Sequence, residues 1–125
     1  VGSEMCIRDS LNGMYEIMYC FWDAVREVFP DAWGLPSTDS RLMHSAGIQA
    51  MGNLMDRIVP RMPRNKNMKS NIVLSLTKIR DDCAWTEGEW DFGMSWNAIQ
   101  AVPTHIKILS EYLIQLDYKA SGEKN

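Results

Sequence analysis

Residues 13–30 read GMYEIMYCFWDAVREVFP, and this stretch decides the fold. Its apolar residues recur every three or four positions, as they do on one face of an α-helix. A second apolar stripe runs beside the first, so the helix predicted over 13–29 is apolar around much of its circumference. Such a helix is largely buried or packs against another polypeptide. Pro30 ends it, because proline cannot continue the backbone hydrogen-bond ladder. The two stripes are Met14, Ile17, Met18, Phe21, Val25 and Val28, and Tyr15, Trp22 and Phe29.

The same spacing predicts three further helices, over residues 46–59, over residues 70–83 and after Pro103. Ser45 is the predicted N-cap of the first of these, since its hydroxyl can accept a hydrogen bond from a backbone N–H. Gly47, close to the start of that helix, allows another stretch of backbone to approach closely. The chain is therefore predicted to be all-α, with a small bundle of about four helices.

Tryptophan is concentrated in the connections between these helices. The chain has five Trp and nine Met, an unusual amount of large, adaptable side-chain volume for its length. One connection, over residues 30–44, is rich in Pro, Gly, Ser and Asp, and another, over 84–95, mixes Trp with acidic residues. The rings are predicted to anchor these loops to the core. The anchoring residues are Trp33, Trp85, Trp90 and Trp96.

The first ten residues, VGSEMCIRDS, match a translated sequencing adapter. The adapter DNA of a common transposase-based library kit, read as GTG GGC TCG GAG ATG TGT ATA AGA GAC AG, encodes this peptide. We therefore expect residues 1–10 to be an artefact, which is set aside before the fold is considered. Residues 11–118 are then expected to be a helical C-terminal domain, and residues 119–125 a flexible tail. The missing N-terminal domain of the same protein is the first expected partner.

The sequence lacks the signatures of several function classes. No apolar run is long enough to span a bilayer, so we expect a cytoplasmic protein with no membrane partner. His44 and His105 stand alone, without a His-Glu-x-x-His or paired-cysteine pattern, which argues against a metal site. No glycine-rich phosphate-binding loop is present. We therefore expect neither a metal nor any other cofactor.

The acidic loop at Glu87, Glu89 and Asp91 has two interpretations. Carboxylates that lie close together can bind a metal or exchange protons with a substrate. Acidic residues interleaved with tryptophan are more typical of an exposed loop that buried rings hold in place. The second interpretation is favoured.

Residues 57–69 carry five cations and no carboxylate, within a chain of formal net charge −3. Clustered cations can neutralise phosphates, so this segment is the candidate for nucleic-acid contact. Such contact would be sensitive to salt and lost when the five cations are neutralised together. The alternative is a solvated linker, and the net acidity of the chain argues against strong autonomous binding. The cations are Arg57, Arg61, Arg64, Lys66 and Lys69.

Residues 21–34, FWDAVREVFPDAWG, and 40–48, SRLMHSAGI, resemble the region downstream of the signature in DGQHR-domain proteins. This is a bacterial and phage family that includes regulators of DNA phosphorothioation. In the family, too, an aromatic helix ends in a Phe/Trp-Pro-x-x-Trp turn, and the next helix starts with x-Arg-Leu-x-x-x-x-Gly. Residues 96–100, WNAIQ, followed by a Leu-rich final helix, are also similar to the family's end. The resemblance covers most of residues 11–118 and rests on aromatic residues and glycine.

The Asp-Gly-Gln-His-Arg signature itself does not occur in this chain. In the family it belongs to an N-terminal part that is similar to ParB/sulfiredoxin-like folds, so none of its residues is carried over. The resemblance implies a helical domain attached to a DNA-associated module. It also implies an accessory or interaction role in DNA modification, its regulation or phage defence, with DNA as a further expected partner.

The alternative is a structural domain that packs against its own N-terminal half or forms a homo-oligomer, without nucleic-acid contact. The broadly apolar helix over 13–29 motivates it. An enzymatic role for the complete protein stays open, although this chain carries no catalytic motif. If the domain contributes to such a role, His44 and Arg41 are the first candidates, because they lie beside the glycine-started helix.

Overall fold

The computed structural model describes residues 13–62 and 67–121, which form a bundle of four α-helices without a β-strand among them. The predicted all-α, four-helix fold is confirmed. None of these helices combines the length and the apolar character that a membrane crossing requires. The helices are α1 (Gly13–Val28), α2 (Ser45–Ile58), α3 (Met68–Ile79) and α4 (Pro103–Ala120), and 3-10 turns cover Val59–Arg61, Arg80–Asp82 and Trp96–Ala98.

Most helix ends lie within one or two residues of the predictions, and three differences have a structural meaning. The N-cap of α2 is His44 and not Ser45, because the ring Nδ1 of His44 accepts a hydrogen bond from the backbone N–H of Ala46 at 3.1 Å. The predicted helix over 70–83 is α-helical only to Ile79 and then tightens into a 3-10 turn, as helix ends often do. Helix α4 continues to Ala120, so the first two residues of the predicted tail are helical. The predicted adapter segment, 1–10, lies outside the described residues.

The helices pack in two pairs, α1 with α3 and α2 with α4, and α3 also contacts α4. The stripes predicted from the sequence supply most of the core, since burial of such apolar surface drives folding. Large side chains that are less than 2% exposed come from all four helices: Phe21 of α1, Met51, Leu54 and Ile58 of α2, Met68, Ile72, Leu76 and Ile79 of α3, and Leu109 of α4.

Tryptophan rings hold the connections on this core, as predicted. Trp85 and Trp90 are buried and meet edge to face, with ring centroids 5.0 Å apart. Trp33 is half-buried against Trp22 of α1, at 6.5 Å between centroids. Trp96 is also half-buried, and the guanidinium of Arg41 lies over its ring, with Cζ 5.8 Å from the ring centroid.

Arg41 joins the two long connections to each other. Its guanidinium donates hydrogen bonds to the carbonyl oxygens of Ile99 (2.9 Å), Asn97 (2.8 Å) and Ser37 (2.9 Å). Its backbone N–H donates to the carbonyl of Trp85 at 2.8 Å. The residue is only 9% exposed, so these carbonyls replace the water that the buried cation has lost. The segment before α2 and the segment before α4 are thus fixed against each other.

Helix α2 begins directly against Arg41. A Cβ atom added at Gly47 would lie 1.8 Å from the carbonyl oxygen of Arg41, so only glycine fits this position without a shift of backbone. This confirms the close backbone approach that the sequence predicts at Gly47. Gly52, further along the same helix, has no heavy atom within 4 Å of an added Cβ.

The two glycines of α2 therefore give a matched pair of substitutions. Gly47→Ala is expected to lower the free energy of unfolding by about 2 kcal/mol or more, because backbone must move to admit the methyl group. Gly52→Ala is expected to raise it by about 0.5–1 kcal/mol, because alanine loses less backbone entropy in a helix. Urea denaturation followed by circular dichroism measures both. Equal effects of the two substitutions would contradict the close approach at Gly47.

Candidate interaction surface

The structure describes three of the five cations that the sequence predicts as nucleic-acid contacts, and it places these three on different parts of the bundle. Arg64 and Lys66 lie outside the described residues. Arg57 is exposed on α2, where it lines a shallow cleft together with the carboxylates Asp82 and Glu111. The described cations of this segment do not share one basic patch, because the other two are bound to carboxylates on different helices.

Arg61 holds the turn after α2 against α4. Its two terminal nitrogens bind the two carboxylate oxygens of Asp117 at 2.5 and 3.1 Å, a bidentate arrangement. The side chain of Asp117 is 4% exposed and that of Arg61 is 26% exposed. The pair therefore neutralises a carboxylate inside the bundle, and the cation has a structural role.

Lys69 ties α3 to α1 through a second buried carboxylate. Its Nζ lies 2.9 Å from an oxygen of Asp23 and 3.0 Å from an oxygen of Glu27. Arg26 binds the other carboxylate oxygen of Asp23. Burial alone would raise the pKa of Asp23, but the hydrogen bonds from Lys69 and Arg26 more than offset this and hold the pKa below its ordinary value. The carboxylate is thus anionic and fixed.

Next to the ion pair of Asp23 and Arg26, α1 exposes several large apolar side chains to solvent. Tyr15 is 77% exposed, Tyr19 is 45% exposed and Met18 is 41% exposed. With Trp22 and with Trp33 from the following loop, they line an open cleft of about 460 Å³, which Asp23 and Arg26 complete. We call this surface the α1 face and define it as Tyr15, Met18, Tyr19, Trp22, Arg26 and Trp33.

The sequence predicts this face only in part. Tyr15 and Trp22 belong to the predicted second stripe, but Phe29 of that stripe is 6% exposed and lies in the core. Met18 belongs to the first predicted stripe but is 41% exposed, unlike the buried Ile17 and Phe21 of that stripe, and Tyr19 is in neither stripe. On a helix with two apolar stripes, spacing alone does not decide which one faces the core.

The acidic loop matches the favoured interpretation. Glu87, Glu89 and Asp91 are exposed, whereas Trp90 among them is 1% exposed. The backbone N–H of Trp90 donates to the carbonyl of Met94 at 2.7 Å, which closes a tight turn that the sequence pattern does not predict. Across residues 13–62 and 67–121, no three His, Cys, Asp or Glu side chains are grouped so that they could hold a metal ion.

His44 and Arg41, the first candidates for a catalytic contribution, have structural contacts. Arg41 uses its guanidinium on the three carbonyls described above. His44 accepts a hydrogen bond from the α2 backbone, and burial and the nearby Arg41 lower its pKa, which favours the neutral form of its ring. The other histidine, His105, accepts from the backbone N–H of Gln100 at 2.9 Å through Nδ1. Both rings thus serve as hydrogen-bond acceptors for the main chain.

The structural role of Arg61 can be tested with Arg57, an exposed cation nearby in sequence, as the control. Arg61→Ala leaves the carboxylate of Asp117 inside the bundle without its bidentate partner, and should lower the free energy of unfolding by about 1–3 kcal/mol. Arg57→Ala removes an exposed cation and should change it by less than about 0.5 kcal/mol. Urea denaturation at neutral pH compares them. If Arg57→Ala proves as costly as Arg61→Ala, the distinction between the two arginines is wrong.

The ion pair at Asp23 makes stability depend on pH. Because the folded-state pKa of Asp23 is lowered, its contribution is present above the unfolded pKa of about 3.9 and is lost as the pH falls through the folded pKa. The unsubstituted chain should therefore have a larger free energy of unfolding than the Asp23→Asn variant at pH 7. This difference in free energy, the gap, should shrink as the pH falls toward 3. Asp81→Asn, at a side chain that is 98% exposed, is the control and should show almost no gap. A gap that stays constant for Asp23→Asn from pH 7 to pH 3 would contradict the assignment.

Comparison with known proteins adds no family to this picture. No family model, no curated protein and no solved structure matches the chain. The resemblance to DGQHR-domain proteins therefore rests on the residues that carry it, and the role of the domain is argued from its own surface.

Proposed function

We propose that this chain is the interaction domain of a DGQHR-type protein that acts in DNA modification, in its regulation or in phage defence. The α1 face is the observation that carries the interaction role. The context comes from the resemblance of residues 21–34 and 40–48 to that family. In this proposal the domain binds protein and leaves DNA chemistry to the module that the resemblance implies.

The composition of the α1 face favours a protein partner. Tyr, Trp, Met and Arg are the residue types enriched at the centres of protein interfaces, whereas Lys and Glu are depleted there. Six of the seven residues that line the cleft are of these four types, and the seventh is Asp23, which Arg26 and Lys69 bind. Tyrosine, tryptophan and arginine are also the residues that most often dominate binding energy, because they bury much surface and keep a polar group for hydrogen bonding.

The charges favour protein over nucleic acid. Affinity for nucleic acid comes chiefly from cations that neutralise phosphates. In this fold Arg61 and Lys69 neutralise the protein's own carboxylates, and Arg26 on the α1 face binds Asp23. These cations contribute little net charge to a phosphate backbone, so the proposal assigns no DNA contact to them.

The proposal is tested in the complete protein, once its gene has been recovered by long-read sequencing across this locus. A photoreactive benzoylphenylalanine replaces Tyr15 in one variant and Tyr118 in another, since Tyr118 is an exposed tyrosine on α4. After irradiation in the producing cells, the variant at Tyr15 should form a covalent adduct with a polypeptide that mass spectrometry identifies. The variant at Tyr118 should give little adduct. Equal or absent labelling at the two positions would contradict the interaction role of the α1 face.

The recovered gene tests the family context separately. The proposal expects an upstream reading frame that encodes Asp-Gly-Gln-His-Arg and continues into this domain. A gene in which no such module is joined to this domain would overturn the DGQHR context while leaving the α1 face to be judged by the photo-crosslink.

A further inference from the structure

We propose that the partner of the α1 face is a second copy of this chain, packed antiparallel along α1. This inference rests on the proposed interaction role of that face. It names the partner and the orientation, and it follows from the positions of five side chains of α1.

Four side chains of α1 form an open socket on the α1 face. Tyr15, Met18, Tyr19 and Trp22 occupy positions i, i+3, i+4 and i+7 of α1, which are the four positions that outline a hole in knobs-into-holes helix packing. Three of the four are aromatic, and the two tyrosines and the methionine are 41–77% exposed. The socket is therefore open, and its walls are mostly ring surface.

Arg26 supplies a knob that suits this aromatic socket. Arg26 follows Trp22 by about one helical turn on the same side of α1, and its side chain is 57% exposed. A guanidinium stacks well on aromatic faces, because the ring faces carry negative charge density and the guanidinium is planar and weakly hydrated. The socket and the knob are thus complementary in charge as well as in shape.

Antiparallel packing of two α1 helices forms two identical contacts, each between the Arg26 of one copy and the socket of the other. When position 26 of one α1 lies opposite positions 18 and 19 of the other, each arginine enters the socket of the partner copy. A twofold interface of this kind requires every copy to supply both surfaces, and α1 does so. Parallel packing would instead place Arg26 opposite Arg26 and socket opposite socket, so that neither guanidinium would enter a socket.

The internal ion pair explains why the partner needs no carboxylate. Arg26 already binds Asp23 within its own chain, and Asp23 is fixed by Lys69. The charge of the guanidinium is therefore compensated before association, so its burial against rings does not leave an isolated cation. An aromatic socket meets this requirement better than an acidic helix, which would add a further negative charge beside Asp23.

Sedimentation equilibrium of the full chain tests the dimer. The interface is confined to one helix and its adjoining loop, so we expect a modest dissociation constant of about 10–100 µM. Tyr15→Ser should weaken the dimer at least about tenfold, because the ring contributes both buried area and cation–π attraction. Tyr118→Ser is the matched control on α4 and should leave the constant unchanged. Tyr15 is the most exposed residue of the face, so its replacement should spare the fold, which circular dichroism checks.

Disulfide trapping tests the orientation. Antiparallel packing predicts that a chain carrying Met18→Cys forms a mixed disulfide with a chain carrying Arg26→Cys under mild oxidation. Met18→Cys alone should give little covalent dimer above the background of the unsubstituted chain. Efficient self-linking of Met18→Cys with no mixed product would overturn the antiparallel arrangement.

A monomer at every concentration up to about 500 µM would overturn the second copy as the partner, since that range exceeds the expected constant several-fold. The proposed interaction role would then be decided by the photo-crosslink alone. An adduct from Tyr15 with a different polypeptide would keep that role and reject the dimer. No adduct from Tyr15, together with a monomer, would reject both.

Discussion

The buried guanidinium of Arg41 is the interaction on which the arrangement of this fold depends. A cation that is 9% exposed is costly unless polar groups replace its water, and three backbone carbonyls do so. Those carbonyls belong to both long connections of the bundle, which therefore have to meet around this side chain. The carbonyl of Arg41 itself lies against Gly47, so the start of α2 is set by the same residue. Replacing the arginine would remove this donor from the buried carbonyl of Ile99 and from the carbonyl of Asn97.

Two buried carboxylates are likewise paired with cations, and each of these ion pairs joins two helical segments. Asp23 receives Lys69 between α1 and α3, and Asp117 receives Arg61 between the turn after α2 and α4. Each ion pair satisfies groups that burial would otherwise penalise, and each fixes one helix pair. Two cations of the basic segment over residues 57–69, Arg61 and Lys69, are in this way used within the fold. The surface that most clearly exceeds the needs of the fold is the aromatic one on α1, which is why the proposed function and the proposed dimer both rest there.

The sequence predicts much of the fold because the period of the apolar residues identifies helices and the bulk of tryptophan identifies loop anchors. Gly47 could be recognised as a point of close approach by its place at the start of a helix. The ion pair of Arg61 could not be foreseen, because Asp117 lies 56 residues away and helical periodicity does not tell which helices will pack together. Serine is the more common cap residue, so residue type favours Ser45 over His44 as the cap of α2. The exposed position of Met18 does not follow from spacing, because two apolar stripes compete for the core on α1.

The central claim is that a polypeptide covers the α1 face, and hydroxyl-radical footprinting of the full chain tests it most directly. Tyr19 on α1 and Tyr118 on α4 are both 45% exposed, so they report on two surfaces with equal initial accessibility. The account predicts that oxidation of Tyr19 falls as the protein concentration rises from about 1 µM to about 500 µM, a range that spans the expected association, while oxidation of Tyr118 stays constant. Equal oxidation of the two tyrosines across this range, and in the complete protein, would contradict the account.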